Sequence, residues 1–217
     1  KEICEFMVGF AQFTLKLLHD VVLANSQYVD LILNGPYIHK TYSMGLVDEN
    51  LAPNFYDGTV RVVDCEGREI CRYAAGEYAD HVAEHVEPWS YLKFPYLKAK
   101  GWHGFEDGPD SGVYRASPLS RLNVADGMAT PLAQAEYERY FETLTGDSSG
   151  AVPVHQTLAT HWARVVEIVH AAERTMELAL DEEILSPEIR AIPTETPTEG
   201  IGSVEAPRGT LTHHYVT

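Results

Sequence analysis

The chain has 217 residues, 45% of them hydrophobic and 22% charged, enough for one sizeable core or two small ones in an ordinary globular protein. Its formal net charge of −16 argues against nucleic-acid binding, which needs a basic face, and against an anionic membrane surface. No apolar run reaches the roughly 18 residues that span a bilayer, and no signal peptide, internal repeat or Lys/Arg-rich segment is visible.

Taken in order, Glu2 to about Asn34 reads as one or two helices. Ile3, Phe6, Met7, Phe10, Phe13, Leu17, Leu18, Val21 and Val22 recur at three- and four-residue steps, and Asn34-Gly35-Pro36 breaks the pattern. Residues 37–57 read as irregular. Thr59–Asp64 and Glu69–Tyr73 read as two strands joined by a turn at Glu66-Gly67. A helix is expected from about Ala75 to Val86, stopped by Pro88, and then a long irregular stretch over 88–131. Thr130-Pro131 opens a helix to about Leu144, because proline is tolerated in the first turn. After the Gly146–Gly150 loop a long helix runs from about His155 to Asp181, its apolar stripe formed by Leu158, Trp162, Val165, Val166, Val169, Ala172 and Met176. Pro187, Pro193 and Pro197 mark an extended connection over 186–200, and Ile201–Val216 reads as strand. The expected fold class is α+β: a single unit, mostly helical, with a small antiparallel hairpin and one or two additional strands.

Four constellations could carry chemistry. His81, Glu84 and His85 match H-x-x-E-H; on a helix the two histidines would share a face and could reach a zinc, with Glu84 beside them as base. The acidic candidates for a third ligand, Glu173 and Glu177, have no supporting motif, and Glu77, Asp80 and Glu87 suggest a solvated helix face. Cys4, Cys65 and Cys71 form no CxxC pair; Cys65 and Cys71 are expected to face each other across the hairpin, as free thiols in a reducing cytoplasm. His155, His161 and His170 do not share i,i+4 spacing, and structural roles are the default for them. His213 and His214 alternate faces if they lie on a strand, one facing inward and one outward. No P-loop, G-x-S-x-G or dinucleotide-binding fingerprint occurs, so nucleotide or flavin chemistry would belong to other subunits.

The fullest signal lies in Glu205-Ala206-Pro207-Arg208-Gly209, followed by Thr210-Leu211-Thr212-His213-His214-Tyr215. Pro207 fixes the backbone direction, Arg208 projects a permanently charged five-donor fork, and Gly209 lets the backbone pass close to something. Such a turn can aim one guanidinium at an anionic or polar ligand. The other reading is a structural arginine paired with a buried carboxylate.

This string resembles a signature of [NiFe]-hydrogenase large (catalytic) subunits, above all the cytoplasmic multimeric group that is NAD-linked or heterodisulfide-reductase-linked. Glu87–Tyr96, Gly112–Asn123 and Ala125–Ala133 are similar to further stretches of that family, in the family's order. The resemblance implies a soluble cytoplasmic oxidoreductase interconverting H₂ with protons and electrons. Its nickel–iron centre, with cyanide and carbon monoxide on the iron, would be held by two CxxC pairs. Its partners would be an electron-acceptor module of diaphorase or heterodisulfide-reductase type and an iron–sulfur small subunit. Because this chain has no such pairs, it is expected to be the central fragment of a large subunit, with metal-binding segments before Lys1 and after Thr217. It would supply no metal ligand and be inactive alone. Carried over, Pro207 and Arg208 form the roof of the open metal position. Arg208 would donate to a cyanide as a catalytic electrostatic guide or base, with Glu205 and Gly209 supporting the turn. The helix bearing His161 would run close to the metals. A metal-free relative, such as the quinone-site subunit of NADH–quinone oxidoreductases, is the alternative; a zinc hydrolase built on His81, Glu84 and His85 is a third.

Overall fold

The computed structural model describes residues 1–217 and bears out the α+β class. Six α-helices are α1 (Glu2–Leu17), α2 (Ser26–Asn34), α3 (Tyr78–His81), α4 (Pro118–Asn123), α5 (Pro131–Thr145) and α6 (Thr160–Leu180). Eight strands, more than the hairpin and one or two others expected, are β1 (Tyr42–Val47), β2 (Thr59–Val63), β3 (Glu69–Tyr73), β4 (Val82–Val86), β5 (Lys93–Leu97), β6 (Tyr114–Arg115), β7 (Glu199–Ala206) and β8 (Gly209–Val216). They form one sheet of order β3-β2-β1-β6 and two separate hairpins, β4-β5 and β7-β8.

The sheet separates two cores. On one side α1, α4, α5 and α6 pack around Leu119, Leu122, Tyr137, Tyr140, Phe141, Trp162 and Val166. On the other, Tyr42, Met44, Leu46, Val60, Val62, Tyr73 and Leu97 form a smaller cluster. Strand β1 is the partition and is buried along its whole length. Its even residues face the small core. Among the odd ones, Ser43 Oγ accepts from Asn123, Gly45 meets α4, and Val47 packs with Val63 and Val124. A strand covered on both faces shows no polar–apolar alternation, which is why 37–57 reads as irregular in the sequence.

Two further expectations are corrected. The helix expected over 75–86 stops at His81, because Val82 turns extended (φ −120°, ψ 137°) and Val82–Val86 pairs with Lys93–Leu97. Pairing to β5 outweighs the helical bias of the Ala- and Glu-rich run. The stretch 88–131 is not irregular throughout: it holds β5, β6 and α4. The β2–β3 strands, α5, the loop after it and the extended connection over 186–198 fall where the sequence puts them. Helix α6 opens with a 3₁₀ turn at Thr157–Ala159 and buries Trp162, Val166, Val169 and Ala172 of its stripe. The stripe expected in the first helix is also corrected: Ile3, Phe6, Met7, Phe10, Phe13, Leu17 and Val21 are exposed, and of that set only Leu18, in the π turn that follows α1, is buried; the face of α1 that meets the core carries Val8, Ala11 and Leu15. No single helix is long and apolar enough to cross a membrane.

Candidate functional site

Hairpin β7–β8 closes through a two-residue turn, with Ala206 paired to Gly209 and Pro207-Arg208 at the tip. Neither tip residue has a positive φ, so the turn is not one of the primed types usual in two-residue hairpins. Pro207 excludes those types at its own position, since its ring holds φ near −65°. A Cβ on Gly209 would collide with the Ala116 carbonyl oxygen, so the base of the turn sits on backbone that only glycine admits. Arg208 itself is exposed and makes no hydrogen bond or ion pair within the chain. All of its donors are free.

The residues before the tip are held firmly. The Glu205 carboxylate is buried, with its side chain 1% exposed. One oxygen accepts from Leu46 N of β1 (2.7 Å) and Thr210 Oγ1 of β8 (3.0 Å); the other accepts from Arg121 (3.0 Å). Its backbone N donates to the Phe55 carbonyl (2.7 Å). Arg121, on α4 and also 1% exposed, reaches Glu205 through Nη1, which donates as well to the Ala206 carbonyl (3.0 Å). Its Nε and Nη2 grip Glu167 of α6 as a fork, at 2.6 and 2.9 Å. The Phe55 ring lies 5.7 Å from the guanidinium carbon.

Two carboxylates thus share one buried guanidinium. Burial works against the charge on Arg121, but the Glu167 and Glu205 carboxylates outweigh it and hold the guanidinium even more firmly protonated than usual. Burial pushes the Glu205 carboxyl up, against the pull of Arg121, the Leu46 amide and Thr210. Glu167 takes the two-pronged face of the fork, and Glu205 receives a single N–H from it. The sequence reading did not single out Arg121 or Glu167. The available signal was an arginine between Leu119 and Leu122, and a glutamate between Val166 and Ile168, opposite charges in apolar runs where neither stays unpaired.

Beside the turn lies a cavity of about 540 Å³ lined by Phe55, Arg164, Ile168, His170, Leu178 and Pro207, among others. Arg164 Nη1 donates to the Pro207 carbonyl (3.3 Å). His170 stacks on Phe55, and Thr130 Oγ1 lies 3.1 Å from its Nδ1.

The other sequence candidates do not converge. His81 ends α3 and stacks on Tyr73, while His85 lies in β4, stacked on Trp102 with Nε2 2.9 Å from Glu87; Glu84 pairs with Lys93. The shared helix face that zinc ligation requires is therefore missing. Cys71 sits opposite Val62, not Cys65, which lies in the turn. His213 and His214 are both exposed: neither faces a core, and His214 bridges Tyr78 and Glu199. His161 is exposed as well. No three His, Cys, Asp or Glu side chains come together as a metal-ligand set.

No protein-family model matches the chain. It is 43% identical over 211 residues to the iron-sulfur subunit of the F420-non-reducing hydrogenase of Archaeoglobus profundus, covering 97% of this chain and 42% of that protein. It is 37% identical over 211 residues to the beta subunit of the NAD-reducing hydrogenase HoxS of Cupriavidus necator, covering 96% of this chain and 40% of that one. The solved NAD⁺-reducing [NiFe]-hydrogenase in its H₂-reduced state matches with a TM-score of 0.76 at 33% identity, over 99% of this chain and 43% of that structure's chain. The chain spans about two-fifths of the relatives it matches, and over that span it shares the fold of [NiFe]-hydrogenase large subunits.

Proposed function

We propose that this chain is the central segment of a cytoplasmic [NiFe]-hydrogenase large subunit, and that it furnishes the roof of the site where H₂ ⇌ 2 H⁺ + 2 e⁻ takes place. The observation that carries the reading is the Pro207-Arg208 turn: an unpaired guanidinium on a tip whose base is locked by a buried carboxylate. Similarity to hydrogenase subunits along nearly the whole chain supports it.

The chain's own donors do not form a ligand set for the metals. In this reading nickel and iron are held by cysteines of other segments. What fits the centre here is Arg208, a free donor fork suited to an anionic ligand such as an iron-bound cyanide. When bound, the nickel–iron centre supplies the Lewis-acidic, redox-active site for H₂ cleavage. Arg208 serves as a fixed cation toward developing charge, an electrostatic guide rather than a base. Pro207 fixes the backbone direction of the tip and lines the cavity beside it. In this reading electrons leave through an iron–sulfur partner to an acceptor module, as in the hydrogenases whose subunits the chain resembles.

Arg208→Lys in the intact protein tests this. Lysine keeps the charge and loses the planar fork. H₂ turnover is expected to fall by about 10²-fold or more, with nickel content, measured by elemental analysis, close to wild type. Normal turnover in a fully loaded Arg208→Lys enzyme would contradict the assignment.

A further inference from the structure

We propose that Arg121 is the positioning residue for Arg208, acting through Glu205 and the Ala206 carbonyl. This rests on the hydrogenase reading of the turn. The two residues that precede Pro207 are both bound by one Arg121 nitrogen, Nη1, at 3.0 Å each. The remainder of that guanidinium is fixed by the two-pronged contact with Glu167 on α6. The position of the tip is therefore referred to the helix core through a single, fully buried side chain.

Few other ties set the tip. Most of β8 is exposed, and beyond Ala206 the turn has the Arg164 contact to the Pro207 carbonyl and the seat of Gly209 on Ala116. Arg164 and Glu167 are three residues apart on α6, so one stretch of that helix grips the turn twice, once directly and once through Arg121. The backbone allows this because Gly45 lets α4 lie close to β1: a Cβ there would be 2.9 Å from Val124 Cγ2 and 3.1 Å from Arg121 Cγ. One arginine is spent entirely on structure, and the other, two residues past the anchored Ala206, is left with every donor free.

Lysine at 121 preserves charge but cannot grip Glu167 with two prongs while reaching Glu205 and the Ala206 carbonyl. Two readouts test the claim. In the full-length protein, amide exchange at Leu46 and Glu205 should rise about ten-fold in Arg121→Lys relative to the central Val62 amide; unchanged relative exchange would overturn the clamp. In the metal-loaded full-length protein, the infrared cyanide bands should move in Arg121→Lys and in Arg208→Lys, with nickel content unaltered. Bands that move in Arg208→Lys alone would sink the positioning role and leave the hydrogenase reading intact. Bands that move in neither would remove Arg208 from the site altogether. Should Arg121→Lys fail to load metal, the isosteric Glu205→Gln gives the same test: it keeps the Leu46 acceptor and turns an N–H toward Arg121, so the bands should move, and static bands count against the clamp.

Discussion

At the scale of single residues, the fold spends its few buried charges in one direction. Arg121 has its donors spread over Glu167, Glu205 and the Ala206 carbonyl, and Arg61 is likewise used up on Glu69, Asp126 and the Val124 carbonyl. Arg208 is left free. Removing one partner from such a buried pair strands the other charge, which is costlier than never burying it. The space for Arg121 depends on Gly45. Gly45→Ala would overpack the β1–α4 contact, since the new methyl meets Val124 and the α4 backbone at Arg121. We expect a loss of about 1–3 kcal/mol in urea denaturation, with the m-value unchanged; a variant as stable as wild type would show that α4 can move aside. The Glu205–Gly209 turn was legible in the sequence as a place to aim a guanidinium. Its anchor was not, because Arg121 and Glu167 lie 84 and 38 residues from Glu205 by their numbering and only the packing of α4 on α6 joins them.

At the scale of elements, periodic segments were readable and partition elements were not. Helices α5 and α6 and the β2–β3 hairpin announce themselves by apolar repeats, a proline at the first helical turn, and a glycine turn. Strand β1 has no alternation because both its faces are covered, and β4 is strand only because β5 lies beside it. The apolar repeat marks α1 as a helix but not its buried face: the Phe6–Phe10–Phe13 ladder lies outside, and the smaller Val8, Ala11 and Leu15 meet the core. The elements also set a pH response. Burial holds His170 on α6 and His155 before it below the ordinary histidine value, in His155 against the opposing pull of the Cys65 carbonyl. The unfolded chain takes up protons at these residues near pH 6.5 while the folded chain does not. Stability therefore falls as pH drops below about 6.5. At Asp64 burial pushes the carboxyl up, but the Glu66 and Arg68 amides and the Arg68 side chain outweigh it and hold it low. Its contribution is present above the unfolded carboxylate value and is lost only as pH falls through the lower folded value. Urea titrations from pH 7.5 to 5 should thus show a slope that His170→Phe reduces; an identical slope in that variant would mean His170 is not the group titrating.

At the scale of the whole molecule, two features point the same way. Ile3, Phe6, Phe10 and Phe13 lie exposed along α1, and Trp89, Tyr91 and Phe105 beside the β4–β5 hairpin, large apolar side chains of the kind that mark interaction faces when they cluster. The relatives are more than twice as long as the matched span, so a hydrogenase subunit of their size has further chain with which to cover such faces. The metal ligands that this chain does not assemble would come with that chain. Reading the coding DNA on both sides of this segment tests the central claim most directly. The expected result is a frame that continues in both directions, with a CxxC pair encoded upstream and a second one downstream. A frame that continues without either pair would contradict a nickel–iron site in this protein, and Arg208 would then be an exposed arginine on a well-anchored turn with no metal to face.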